Sequence, residues 1–314
     1  MTKPNILAFE TYDQWDAEPM AQLFSVHQFP SNGDLSAITV DTRELIKAFA
    51  FKGHSTLGPE IMDAFPNLGL IANYGVGYDT IDVDHASKRG IKVTNTPDVL
   101  TDDVADLGVG MVLALNRGMV GADAWVRSGN WAANGAYPLQ RTIAGVSVGI
   151  AGLGRIGRAI AERLQGFKTD IHYYSRAEKD TPGWTHHDNL VYLAKTVDIL
   201  IVAVSGGPET AQIISKEVIE AVGPDGLLIN CARGSTVDEA ALIKALEDKM
   251  IRGFASDVFN NEPNIDQRFM QFDNVLLQPH QSSGTVETRK SMGKLQRGNL
   301  QAFFDNQPLL TPVN

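Results

Sequence analysis

Three side chains in the last third of the chain have the right types for acid–base and anion chemistry. Arg233 follows the apolar run Leu227–Asn230, within Asn230-Cys231-Ala232-Arg233-Gly234. A guanidinium at a strand end offers a planar fork to a carboxylate or a developing alkoxide. A bare arginine there is more often a surface ion-pair residue. His280 follows Val275–Leu277, inside Gln278-Pro279-His280. An imidazole titrates near neutrality, so it can act as acid in one direction and base in the other. A lone histidine is more often structural. Glu262 lies between them, in Asp257-Val258-Phe259-Asn260-Asn261-Glu262-Pro263.

A second constellation lies upstream. Val148-Gly149-Ile150-Ala151-Gly152-Leu153-Gly154-Arg155-Ile156-Gly157 is a strand running into G-x-G-x-x-G and then a helix. That context is what makes the motif specific. Gly152 permits the tight turn, Gly154 lets a pyrophosphate approach backbone N–H groups, and Gly157 lets the helix sit close to the sheet. The next strand ends in Tyr174-Ser175-Arg176. An NAD site would place Asp or Glu there for the ribose 2′-OH. A hydroxyl followed by a guanidinium suits a 2′-phosphate instead. The expected cofactor is therefore NADP (NADPH), with NAD as the weaker alternative; Lys179 is a further candidate on the phosphate. Val204 and Ser205, at the end of the following strand, belong to the same expected site, where Gly206-Gly207 would reshape the adenine edge.

These residues need a scaffold. The chain has 314 residues, which suits two domains, and 43% hydrophobic residues, enough for a sizeable core. Alternating apolar runs and amphipathic stretches indicate an α/β chain with parallel sheets. Expected strands are Asn5–Phe9, Leu45–Phe51, Leu70–Tyr74 and Ile91–Val93, followed by a helix over Asp98–Asn116. A second series comprises Val146–Ala151, Asp170–Tyr174, Ile199–Val204, Leu227–Asn230, Gly253–Asp257 and Val275–Leu277. Six strands separated by helices make one doubly wound domain. A last helix, Thr285–Phe304, is expected to return to the N-terminal block, giving two crossings and a cleft suited to hinge closure. The single cysteine, Cys231, excludes an internal disulfide. The net charge of −10, without a basic cluster, argues against nucleic acid or anionic membrane as partner. With no signal-like or spanning apolar run, a cytoplasmic location is expected. No metal site is expected: His186-His187-Asp188 reads as a solvated loop.

The sequence resembles the D-isomer-specific 2-hydroxyacid dehydrogenase family, in its glyoxylate/hydroxypyruvate and hydroxyphenylpyruvate reductase branch. The resemblance covers essentially the whole chain, through Gly152–Gly157, Asn230–Gly234, Asp257–Pro263, Gln278–Thr285, Asn73-Tyr74-Gly75-Val76-Gly77-Tyr78-Asp79 and Asn95-Thr96-Pro97. It implies that Arg233 anchors and polarises a 2-oxo acid, that His280 is the general acid/base, and that Glu262 pairs with His280 and fixes its tautomer. It implies that Asp257 lies near the nicotinamide amide, whereas otherwise it would cap its strand end. Cys231 and Ala232 would face the cofactor. Val76 and Gly77 would bind the substrate carboxylate through N–H groups, with Lys52, and less securely Gly53, His54 and Ser55, lining the pocket. Trp125, Trp131 and Tyr137-Pro138-Leu139 would serve a two-fold homodimer built with the Asp98–Asn116 helix, or be plain interface core.

The fold expected is α/β with two doubly wound parallel-sheet domains: a discontinuous, flavodoxin-like substrate domain, 1–97 and 283–314, and a Rossmann cofactor domain, 98–282. The activity expected is NADPH-dependent reduction of a small 2-oxo acid to the D-2-hydroxy acid. Two other readings compete. A phosphoglycerate-type dehydrogenase would want extra basic residues and often a regulatory domain, neither of which is visible. A nucleotide-sensing corepressor would not need Arg233, Glu262 and His280 together.

Overall fold

The computed structural model of the chain describes residues 3–53 and 55–314. Backbone contacts divide it into two units, Met1–Leu100 with Thr285–Asn314, and Thr101–Gly284. Both switch points fall slightly C-terminal of the expected boundaries.

The first unit carries β1 (Asn5–Ala8), β2 (Ser25–Gln28), β3 (Ile46–Phe51), β4 (Leu70–Asn73) and β5 (Lys92–Thr94), in the parallel order β2-β1-β3-β4-β5. Strand β2 was not expected. It is an edge strand with three of its four residues exposed, so it lacks the apolar run that marks a buried parallel strand. The terminal helix Val286–Phe304 belongs to this unit through buried polar contacts. Gln296 Nε2 donates to Ala72 O at 2.8 Å and Phe51 O at 3.2 Å, and Arg297 pairs with the buried Asp16. Thr285 caps the helix by accepting from Thr288 N–H at 3.2 Å.

The second unit carries β6 (Ser147–Ala151), β7 (Asp170–Tyr174), β8 (Thr185–His187), β9 (Ile199–Val202), β10 (Leu227–Asn230), β11 (Gly253–Ser256) and β12 (Val275–Leu277). Their parallel order is β12-β11-β10-β9-β6-β7-β8. Every residue of β9, β10 and β11 is buried, because helices cover both faces. Strand β6 lies between β7 and β9, so the order of succession reverses there. That switch point is where such sheets bind ligands.

Strand β8 corrects one reading. His186 and His187 lie on this edge strand rather than in a solvated loop, and His187 is only 8% exposed. His172 Nδ1 and His187 Nε2 are 2.9 Å apart, and His172 Nε2 is 3.1 Å from Asp170 Oδ2. Two facing imidazoles need one donor and one acceptor, a pairing that spacing along the chain cannot reveal. Among the described residues, no group of three or more His, Cys, Asp or Glu side chains could hold a metal ion.

The helix Thr101–Asn116 turns Val104, Ala105, Gly108, Val109, Met111 and Val112 inward, a helical spacing that packs it on the second unit. Arg163, on the helix Arg155–Gln165, donates to Asp102 at 2.8 Å and to Asp106 at 2.6 Å. No single helix among the described residues is long and apolar enough to cross a membrane.

Candidate active site

The loops after β10, β11 and β12 are laced into one piece. Asn230, the last residue of β10, accepts from Ala232 N–H and donates to Arg233 O, each at 3.0 Å. Thr236 Oγ1 also donates to Arg233 O, at 2.6 Å. These bonds fix the Arg233 backbone, and its Nη1 donates to Ala232 O at 2.9 Å. A Cβ on Gly234 would come within 2.0 Å of the Phe259 carbonyl carbon, so only glycine lets the loop after β10 lie against the loop after β11.

Asp257 ties the next two loops together. It is 1% exposed. Its backbone O accepts from His280 N–H at 2.9 Å, and its carboxylate accepts from Gln281 N–H at 2.6 Å, from Ser282 N–H at 2.8 Å and from the Ser282 hydroxyl. These bonds cap the end of its strand. His280 has φ of +53°, a left-handed conformation that costs a non-glycine residue energy and persists only when its surroundings impose it. The Asp257 contacts to the backbone N–H groups of His280, Gln281 and Ser282 supply that constraint.

The imidazole then meets Glu262, with Nδ1 and Oε2 2.7 Å apart. The other carboxylate oxygen, Oε1, accepts from Phe259 N–H at 2.6 Å. Both side chains are mostly buried, at 25% and 20% exposure, which strengthens a charge-assisted bond relative to a surface one. A carboxylate can only accept from a protonated nitrogen, so Nδ1 carries the proton and chemistry would fall to Nε2.

The phosphate turn lies at the end of β6. Gly152 has φ of +100°, and a Cβ there would reach 2.8 Å from Val204 N. A Cβ on Gly157 would lie 2.1 Å from Gly152 O. Around Gly154 there is open space, with nothing within 4 Å of an added Cβ. The turn is closed where helix meets strand and open at the helix N-terminus, which fits a pyrophosphate on backbone N–H groups. Arg155 and Ile156 open the helix, and Leu153 is buried beneath it. Ser175 and Arg176 follow β7, and Val204 and Ser205 follow β9, one on each side of the turn.

Cys231 follows β10 directly. Its sulfur lies in the core, 3.2 Å from where a Cβ on Gly108 would stand. Burial, and then the negative Asp257, push its thiol pKa up to about 12. Ala232, next to it, is also buried.

In the first unit, Lys52 follows β3. Its Nζ donates to Thr11 O at 2.7 Å and lies 5.2 Å and 5.6 Å from the Tyr12 and Tyr74 ring centroids. Burial lowers its pKa, Asp13 opposes that and Arg289 reinforces it. In the loop after β4 the carbonyls of Gly75, Val76 and Gly77 are occupied. Asn73 Nδ2 donates to Gly75 O at 3.0 Å and Gly77 O at 2.8 Å, and Asn95 Nδ2 donates to Val76 O at 2.9 Å. Among the described residues, nothing accepts from the N–H of Val76 or Gly77. His54 lies outside the described residues. Asn73, Asn95 and Asn230 stand in the family motifs, but their bracing role escaped sequence reasoning; its signal was an amide side chain at or just after a strand end.

Comparison with known proteins follows the same lines. Residues 109–282 match the D-isomer specific 2-hydroxyacid dehydrogenase NAD binding domain. The chain is similar to the hydroxyphenylpyruvate reductase of Plectranthus scutellarioides, with 43% identity over 303 residues and 96% of each chain. It is equally similar to the 2-ketogluconate reductase of Gluconobacter oxydans, with 43% identity over 312 residues and 99% of each chain. The crystal structure of the NADPH-dependent glyoxylate/hydroxypyruvate reductase of Sinorhizobium meliloti, in complex with NADP and malonate, superposes with a TM-score of 0.94 at 43% identity. It covers 99% of this chain and 97% of that one.

Proposed function

The chain belongs to the D-isomer specific 2-hydroxyacid dehydrogenase family and is an NAD(P)-dependent oxidoreductase, and from that premise we propose that it reduces small 2-oxo acids to D-2-hydroxy acids, with NADPH preferred over NADH. The observation that carries the chemistry is the 2.7 Å Glu262–His280 contact on a backbone held at positive φ.

Bound NADPH supplies the hydride. Gly152–Gly157 hold the pyrophosphate, with Ser175 and Arg176 on the 2′-phosphate, and with Val204, Ser205, Ala232 and Asp257 around the remainder. Arg233 pairs its fork with the substrate carboxylate and carbonyl oxygen, drawing electron density away from the carbonyl carbon. Val76 and Gly77 N–H groups and Lys52 are assigned to the substrate carboxylate. His280 delivers a proton from Nε2 to the oxygen as the carbon is reduced, and Glu262 stabilises its charged form. Glyoxylate, hydroxypyruvate, aryl pyruvates and 2-ketogluconate are the substrate candidates, on the strength of the named relatives.

A cytoplasmic location and a two-fold homodimer are part of the same reading. In support of the dimer, Met119, Val120, Val126, Trp131 and Leu139 are exposed apolar residues on the helices and arm that follow Thr101–Asn116.

The experiment is a turnover panel of these acids against both cofactors, followed by loss of nicotinamide absorbance. Arg233→Ala and His280→Ala are expected to remove turnover while leaving the fold intact. Normal turnover in both variants would discard the residue assignment. Tight NADPH binding without turnover of any acid would favour a nucleotide-sensing role.

A further inference from the structure

Two opposite charges face each other across the end of β6. Arg176 leaves the end of β7, Glu209 stands in the turn after β9, and β6 separates those strands. Arg176 Nη1 lies 3.5 Å from Glu209 Oε2. Both side chains are open to solvent, so the pair adds little to the fold and is easily exchanged.

The backbones that present them are nevertheless fixed. Gly207 has φ of +134°, which favours glycine, and Pro208 follows it. Thr210 Oγ1 donates to Ser205 O at 2.6 Å, and Thr210 N–H donates to Gly207 O at 3.1 Å. On the other side, His186 Nε2 donates to Ser175 O at 3.1 Å, tying the end of β7 to β8, and Ser175 Oγ donates to Ala177 O at 2.5 Å. Arg176 and Glu209 therefore project from two braced turns flanking the phosphate turn.

We propose that Glu209 is a specificity-determining residue for the dinucleotide: its carboxylate competes with the 2′-phosphate of NADPH for Arg176 and offers the 2′-hydroxyl of NADH an acceptor. This rests on the reading of Ser175–Arg176 as the 2′-phosphate subsite. A phosphate is drawn to the guanidinium and repelled by the carboxylate beside it. A ribose hydroxyl can donate to a carboxylate but not to a guanidinium. In an NAD site the acceptor sits at the end of the second strand. Here β7 ends in Ser-Arg, and the carboxylate comes from the turn after β9. One cation serves NADPH and one anion serves NADH, so the ratio between the two cofactors is set by their balance. Because the pair is exposed, the effect is modest, about two- to fivefold in affinity, and it grows as salt is lowered.

The test measures dissociation constants by calorimetry for NADPH, NADH and the fragments 2′,5′-ADP and 5′-AMP, at low and moderate salt, without turnover. Glu209→Gln is expected to bind NADPH and 2′,5′-ADP about two- to fivefold more tightly and NADH more weakly, the two shifts having opposite signs. Unchanged constants, or shifts of the same sign, overturn the proposal. Arg176→Ala separates it from the reading beneath it, by weakening NADPH and 2′,5′-ADP at least tenfold. If Arg176→Ala does so and Glu209→Gln does nothing, the proposal alone fails. If Arg176→Ala leaves NADPH binding unchanged, the 2′-phosphate lies elsewhere and both fail.

Discussion

Replacing Glu262 separates its charge from its geometry. Glu262 makes two short bonds, 2.7 Å to His280 Nδ1 and 2.6 Å from Phe259 N–H. A hydrogen bond to a charged group contributes about 1.5–3 kcal/mol, and a neutral one about 0.5–1.5. Glu262→Gln can keep an amide oxygen for Nδ1 only by turning its NH2 toward the Phe259 N–H and losing that bond, and it gives up the charge that favours the imidazolium form that donates the proton, a loss of about 1–1.5 kcal/mol on the barrier. At about 1.4 kcal/mol per tenfold, turnover should fall about 5- to 15-fold. Glu262→Ala removes both acceptors, loses about 2–3 kcal/mol, and should slow turnover about 30- to 150-fold. His280→Ala should lose about 10²- to 10⁴-fold, the usual worth of a positioned proton donor. Because Glu262 acts through His280, adding Glu262→Ala to His280→Ala should cost almost nothing more. The assay is steady-state kcat at saturating NADPH and 2-oxo acid, with circular dichroism and thermal melts to confirm folding. Two outcomes would refute the reasoning: Glu262→Gln turnover within twofold of the native chain, or full additivity in the double variant.

Two further outcomes test the scaffold. Arg297→Ala leaves Asp16 buried, at 1% exposure, with the Tyr74 hydroxyl 3.3 Å away as a remaining polar contact; losing one partner of a buried pair costs about 3–5 kcal/mol, so Tm should drop by roughly 10 °C. Adding Asp16→Asn should recover part of that loss, and a double variant no more stable than Arg297→Ala would count against a buried-charge explanation. The His187 pKa is lowered by burial, then by His172 and His186, with Asp188 opposing. Its folded value lies below its unfolded one, so the stability it contributes is complete above about pH 6.5 and is lost as pH falls through the folded value. His172 Nε2 lies against Asp170 and so carries the ring proton, which makes His187 Nε2 the donor to His172 Nδ1; protonating His187 keeps that bond, and Tm should fall between pH 7.5 and 5.5 by about 2–4 °C for each kcal/mol that the buried charge costs. His187→Gln should flatten that difference, and an unchanged pH slope would show that other groups set it.

What the sequence carried was local. The strands β4, β9 and β10 are buried on both faces, and such strands read as near-continuous apolar runs; β3 does so from Ala48 onward, after the exposed Lys47. The glycines of the phosphate turn were legible because mechanism demands each one at its place, and the structure finds a backbone oxygen 2.1 Å from a Cβ on Gly157. The Glu262–His280 pairing was legible through the motifs around it, and the two side chains meet at 2.7 Å. Strands β2 and β8 were not, because edge strands pair on one side only and need no apolar run; Ser25-Val26-His27-Gln28 and Thr185-His186-His187 are polar enough to read as loops.

Tertiary structure decided the partnerships. Eighteen residues separate Glu262 from His280, and only folding brings Oε2 to Nδ1. Asp257, expected near a nicotinamide, spends its carboxylate on Gln281 and Ser282, and so imposes the backbone of His280. Cys231 turned into the core, and Glu209 came opposite Arg176 from 33 residues away. A sequence records which groups are present and what each backbone position tolerates. Which donor meets which acceptor depends on distances of a few ångströms between strand ends, and those are set by strand order and packing.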